Sequence, residues 1–268
     1  MSARPKKSFG QHFLHERRYI ERIVSAISPR PDDVLVEIGP GEGALTFPLL
    51  AAAGKLTAIE LDTDLIPALE AKAPGIGELS IVHADVLKVD FTAMAHRAGA
   101  SRLRIAGNLP YYISSPILFH CIEHAAAIAD MHFMLQKEVV DRMAAAPGSK
   151  VYGRLSVMLQ LACRVEPLFD VPPGAFRPPP KVDSSVVRLV PLPADARHDA
   201  DPARLYAIVK AAFAQRRKTL ANALRQLMDA DAIRQADVDP KARAETLAPA
   251  DFVRLAKTTT AEAGHENS

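Results

Sequence analysis

Cysteine is nearly absent: Cys121 and Cys163 are the only two in 268 residues. They lie far apart, each beside apolar residues. That excludes a disulfide framework and a cysteine metal cluster, and leaves buried, reduced thiols as the reading. No metal is expected. Long hydrophobic runs are missing too, since none approaches the ~18 residues that span a bilayer. The basic N-terminus has no apolar stretch of the secretory kind. A cytoplasmic protein with no membrane partner is the expectation. Charge of one sign is also in short supply, with 33 Lys and Arg against 31 Asp and Glu, formally +2. Overall charge therefore selects no class of partner. Apolar residues are plentiful at 49%, enough for one large domain or a large and a small one.

The distribution of charge is more informative than its sum. Segment 1–22 carries Arg4, Lys6, Lys7, Arg17, Arg18 and Arg22 against Glu16 and Glu21 alone. Segment 203–228 carries Arg204, Lys210, Arg216, Arg217, Lys218 and Arg225 with no acid. Two basic segments on a near-neutral chain suggest a local polyanion contact, or else two ordinary solvated faces.

Residues 16–28 repeat apolar positions at helical spacing until Pro29 and Pro31 stop them. Short β-rich runs follow at 34–39, 56–62, 79–85, 103–109 and 129–136, separated by Ala/Leu-rich stretches such as 44–53 and 64–73 that read as helices. This alternation argues for βαβ units and a mainly parallel sheet covered on both faces. Residues 155–171 and 184–192 read as two further strands around the proline-rich loop 172–180. A linker is expected at 191–202, and 203–257 is helical in pattern with no strand signal, broken near Gln215, with Arg216, Arg217 and Lys218 fanning around one helix turn. The polar tail 258–268 is expected to be disordered.

Chemistry concentrates at the ends of these strands. Glu37-Ile38-Gly39-Pro40-Gly41-Glu42-Gly43-Ala44 lies where a strand passes into a helix, so a ligand can approach the backbone closely. Gly39-x-Gly41-x-x-Ala44 also satisfies a dinucleotide fingerprint and does not choose between ligands. Glu60 ends the next strand, where a carboxylate can accept from both ribose hydroxyls, in NAD or in S-adenosylmethionine. Asp85 ends the third, as an acceptor for an adenine amine or as a helix cap. Asn108-Leu109-Pro110-Tyr111 ends the fourth. The Asn oxygen and the carbonyl that follows can accept the two N–H groups of an aromatic amine. The Tyr ring gives its base a surface to stack on.

That tetrapeptide, together with the glycine loop, resembles the adenine N6-dimethyltransferases of ribosomal RNA. Phe9-Gly10-Gln11-His12-Phe13-Leu14 is similar to the family's N-terminal motif, with His12 where Asn is frequent. Gln136-Lys137-Glu138-Val139 with Arg142, Phe176-Arg177-Pro178-Pro179-Pro180-Lys181-Val182-Asp183-Ser184, and Phe213-Ala214-Gln215-Arg216-Arg217-Lys218-Thr219-Leu220 match further family segments. The resemblance covers about residues 4–255 and is strongest to the bacterial small-subunit branch.

It implies an α/β fold of the Rossmann-like class I methyltransferase type. That is a mainly parallel seven-stranded sheet with helices on both faces, plus a small α-helical C-terminal domain. The expected domains are 1–192 for S-adenosylmethionine, 200–257 for the RNA substrate, and the tail 258–268. The implied reaction moves methyl groups from S-adenosylmethionine to N6 of two adjacent adenines in the 3′-terminal hairpin of 16S rRNA, in a monomer acting on the small ribosomal subunit. His12, Leu14, Gly39, Gly41, Glu60, Leu61, Asp85, Val86 and Asn108 would bind the cofactor. Asn108, Leu109 and Pro110 would hold the target amine, with Tyr111 and Phe176 sandwiching its base. Arg216, Arg217 and Lys218 would contact RNA. Two other enzymes share part of this pattern: a large-subunit rRNA methyltransferase of the antibiotic-resistance type, and an NAD-dependent oxidoreductase, which leaves Asn108–Tyr111 unexplained. A non-catalytic ribosome-assembly factor is a further alternative.

Overall fold

The computed structural model describes residues 12–215 and 217–258. Arg4, Lys6, Lys7, Phe9–Gln11, Arg216 and residues 259–268 of the expected tail lie outside the described residues. The chain folds as two units. One comprises the described residues through Val140 together with Cys163–Pro191; the other comprises Asp141–Ala162 together with Leu192 onward.

The first unit runs β1 (Phe13–Leu14), α1 (Arg17–Ile27), β2 (Leu35–Ile38), α2 (Thr46–Ala53), β3 (Lys55–Glu60), α3 (Ile66–Lys72), β4 (Glu78–His83), α4 (Phe91–Arg97), β5 (Leu103–Asn108), α5 (Ser114–Glu123) and β6 (Ile128–Gln136). Helix α6 (Lys137–Met143) carries the chain into the second unit, where α7 (Arg154–Ala162) follows. Strands β7 (Cys163–Val171), β8 (Phe176–Arg177) and β9 (Ser184–Pro191) return to the first. Helices α8 (Pro202–Ala214), α9 (Leu220–Ala223), α10 (Ala230–Gln235) and α11 (Pro249–Lys257) belong to the second.

Seven strands form one sheet in the order β4-β3-β2-β5-β6-β9-β7. Strand β9 alone runs against the others, so the sheet is mainly parallel as expected. Strand β2 is buried at all four residues, as a central strand covered on both faces must be. Leu35 of β2 and Leu56 of β3 pack with Ile23 and Ile27 of α1 and Leu49 and Leu50 of α2. The chain builds outward from β2 to β3 and β4, then returns to lay β5 on the other side of β2. This reversal opens a crevice at the carboxyl ends of the strands. Gly107 makes the close approach there possible, because a Cβ would lie 2.5 Å from the Ile38 carbonyl oxygen.

Two expectations for residues 141–171 are corrected. Residues 155–171 are not one strand: α7 takes Arg154–Ala162, and β7 begins at Cys163. Leu, Met, Gln and Ala fill the first half and favour helix, whereas Val165, Phe169 and Val171 fall in the second. The segment 141–162, expected within a domain 1–192, groups instead with the C-terminal helices. Its apolar side chains explain this, since Tyr152 and Val157 join Leu205, Val209, Leu220, Ile233, Phe252 and Leu255 in one buried cluster. The Tyr152 hydroxyl donates to the Leu247 carbonyl at 2.9 Å.

The C-terminal segment is helical as read, with Asp201 capping α8 through the Arg204 N–H and Asp229 capping α10 through the Ala232 N–H. Arg217 and Lys218 of the basic run are not on a helix, however. Helix α8 ends at Ala214, and Arg217 and Lys218 sit exposed in the turn before α9. The Lys218 N–H closes that turn on the Gln215 carbonyl at 2.9 Å.

Candidate active site

The strand ends around the crevice supply a single pocket. Gly39 and Gly41 follow β2, Glu60 and Leu61 end β3, Asp85 and Val86 follow β4, and Asn108–Tyr111 end β5; His12, Phe13 and Leu14 line it as well. Gly39, Gly41 and Gly43 all hold positive φ, and a Cβ on Gly41 would press against the Phe13 ring at 3.1 Å. The loop can therefore turn sharply while β1 lies over it.

Glu60 is buried, and three backbone N–H groups fix its carboxylate. Leu61 and Asp62 donate to Oε1 at 2.8 Å each, and Gly41 donates to Oε2 at 3.3 Å. Burial nonetheless pushes its pKa upward, against those hydrogen bonds. Asp85 caps the short turn Val86–Lys88, with Oδ1 accepting from Leu87 N at 3.0 Å. The capping role and a place on the pocket wall coexist in one residue.

At the end of β5, the Asn108 Nδ2 group donates to the His12 carbonyl at 3.1 Å. His12 thus acts on Asn108 through its backbone. Its ring Nδ1 donates to the Pro178 carbonyl at 2.8 Å, and the ring lies 5.7 Å from that of Tyr111. Leu14 pairs with Phe176, and the His15 N–H donates to the Ala175 carbonyl at 2.9 Å. Strand β1 therefore ties the proline loop to the pocket.

Phe176 is packed away from the pocket walls. Its ring is 2% exposed, clustered with Leu14, Ala175 and Val186, and it is not among the pocket-lining residues. A large apolar ring gains more from this cluster than from water. Tyr111 does line the pocket.

The model of the family described as ribosomal RNA adenine dimethylase matches residues 2–261. The chain belongs to that family. The small subunit rRNA methyltransferase A of Xanthomonas campestris is 63% identical over 255 residues, covering 95% of this chain and 96% of its own. Among solved structures, a dimethyladenosine transferase from Plasmodium falciparum superposes with a TM-score of 0.77 at 26% identity, covering 91% of this chain and 96% of its own. The 23S rRNA methyltransferase ErmE gives 0.68 at 27%, covering 91% and 97%.

As a dimethylase of this family, the protein is an rRNA methyltransferase whose methyl donor is S-adenosylmethionine. The pocket fits a ligand that joins a cationic amino acid to a ribose and an adenine. Glu37, in the middle of β2, lines it with a buried Oε2 that has no hydrogen-bond partner among the described residues, and burial pushes its carboxyl up to about 7. Such an oxygen suits an approaching cation. Glu60 and Asp85 offer acceptors farther along the same wall. Sequence reading left Glu37, Phe13 and Tyr112 out of the site. Tyr112 is 60% exposed at the pocket wall, and its position beside Tyr111 was the available signal.

Proposed function

We propose that this enzyme methylates N6 of two adjacent adenines in the 3′-terminal hairpin of 16S rRNA, giving N6,N6-dimethyladenine. One observation carries the site reading: the Asn108 amide is held through its nitrogen by the His12 carbonyl, which leaves its oxygen to accept from a target amine. Bound S-adenosylmethionine supplies an electrophilic methyl on a sulfonium sulfur. Glu37 would face its cationic end, Glu60 the ribose hydroxyls and Asp85 the adenine amine.

The chain's own residues address the acceptor. An adenine amine is a poor nucleophile because its lone pair is delocalised into the ring. Asn108 Oδ1 and the Leu109 carbonyl each accept one N–H, drawing the nitrogen toward tetrahedral geometry. Pro110 stiffens the turn, and Tyr111 stacks the base so that the nitrogen approaches in line at about 3 Å. No strong base is required, since the proton becomes acidic once the nitrogen is alkylated. Arg217 and Lys218, exposed in the turn after α8 and without an ion pair among the described residues, are suited to RNA phosphates. Arg216 is assigned the same role from sequence. The enzyme acts as a monomer in the cytoplasm. Among the described residues no helix is long and apolar enough to cross a membrane.

The test is transfer of labelled methyl from S-adenosylmethionine to small subunits lacking the modification, with large subunits in parallel. Label in the small subunit alone is expected. Label in the large subunit alone would favour the activity of a 23S rRNA methyltransferase such as ErmE.

A further inference from the structure

Tyr111 and Ser184 lie 73 positions apart in the chain, yet their hydroxyl oxygens are 2.6 Å apart. Ser184 is fully buried and opens β9, where it pairs with Gln136 at the end of β6 and with Val171 at the end of β7. Beside it, the Lys137 N–H donates to the Asp183 carbonyl at 2.9 Å. Ser184 is thus part of the sheet and cannot drift. Tyr111 is in a different situation. It sits in the turn after β5, where its carbonyl accepts from Ser114 Oγ at 3.1 Å and the Ile113 N–H closes on Pro110 at 3.2 Å. These contacts fix the backbone but leave the ring to pivot about its side-chain torsions. Burial pushes the phenol upward from its ordinary value, so it stays protonated and available for the hydrogen bond.

We infer that Ser184 is a positioning residue for methyl transfer, its hydroxyl anchoring the far end of the Tyr111 ring in the plane on which the target base stacks. The inference rests on the proposed reading of Tyr111 as the stacking surface. A ring fixed at both ends is a preorganised platform, and geometry of this kind converts into rate. The predicted cost of losing the anchor is that of one neutral hydrogen bond, about two- to twelvefold.

The test compares Ser184→Ala, Tyr111→Phe and the double variant on modification-deficient small subunits. The anchor predicts that each single variant lowers kcat by a similar two- to twelvefold. The double variant should have a kcat no lower than either, S-adenosylmethionine affinity should be unchanged, and melting temperature should fall only by the few degrees that one buried hydrogen bond accounts for. With an active wild type, three results would overturn it: wild-type kcat in Tyr111→Phe, single defects that multiply in the double, or a Ser184→Ala defect matched by lost cofactor affinity. If Ser184→Ala fails to fold, Tyr111→Phe decides alone, because it leaves β9 intact. No transfer by the wild-type enzyme would overturn the inference together with the reading beneath it. Normal transfer by both wild type and Tyr111→Phe would overturn the inference alone.

Discussion

Glu37→Gln should change stability and ligand binding in opposite directions. Glu37 is 1% exposed in the centre of β2, with Oε2 unpartnered among the described residues. Burial raises its carboxyl from the ordinary 4.5 to about 7. A folded-state pKa above the unfolded one means that folding takes up a proton. The resulting stability is complete below 4.5 and is lost as pH rises through about 7. At about 1.36 kcal/mol per pH unit, the interval from 4.5 to about 7 amounts to about 3 kcal/mol. Glutamine cannot titrate and carries no buried charge. Urea denaturation of the ligand-free wild type and variant at pH 5 and pH 8 isolates the effect, because other titrations cancel in the difference. Wild-type stability relative to the variant should fall by about 2–3 kcal/mol between the two pH values. At pH 8 the variant should bind S-adenosylmethionine more weakly, because the anion facing its cationic end is gone. A stability difference that stays flat from pH 5 to pH 8 would refute the account of Glu37.

Glu60→Ala should weaken S-adenosylmethionine binding by up to about 1.5–3 kcal/mol for each ribose hydrogen bond lost; unchanged affinity by calorimetry would remove Glu60 from the site. Phe176→Ala should cost about 3–5 kcal/mol of stability in denaturant melts. Phe176→Tyr should also destabilise, because it places a hydroxyl in a cluster of Leu14, Ala175 and Val186. His132 is 3% exposed, and burial lowers its pKa from 6.5 to about 4. The unfolded chain therefore protonates first, and stability falls as pH drops from about 6.5 toward 4; His132→Leu should flatten that part of the profile.

The parts of the site set by local pattern were legible in the sequence. A glycine loop after a buried strand, Glu60 and Asp85 at the next strand ends, and Asn108–Tyr111 after β5 each have a short-range signature. A parallel sheet carries strand ends of this kind to one edge. What long-range packing decides was not legible. Nothing local to Phe176 says that its ring turns into a cluster with Leu14 and Val186 rather than toward the pocket. Glu37 reads as one residue of an apolar strand until the neighbours that leave Oε2 unpartnered are in place. Arg104 reads as a stray charge in β5, yet it bonds Asp33 at 2.6 Å and Asp130 at 2.9 Å, from opposite sides in sequence. The segment 155–171 misled because its Leu and Val spacing satisfies both periods, and only composition separates the helical half from the strand. The basic run after Gln215 was placed on a helix turn, whereas α8 had already ended at Ala214.

The central claim is that Asn108 presents its oxygen to an adenine amine of small-subunit rRNA. Nucleoside mass spectrometry of modification-deficient small subunits tests it most directly, after incubation with S-adenosylmethionine and either the wild-type enzyme or Asn108→Ala. The account predicts N6,N6-dimethyladenosine at two adjacent positions of the 3′-terminal hairpin with wild type. It predicts none with Asn108→Ala, whose S-adenosylmethionine affinity stays within a few-fold. Dimethyladenosine formed at near-normal rate by Asn108→Ala would contradict it.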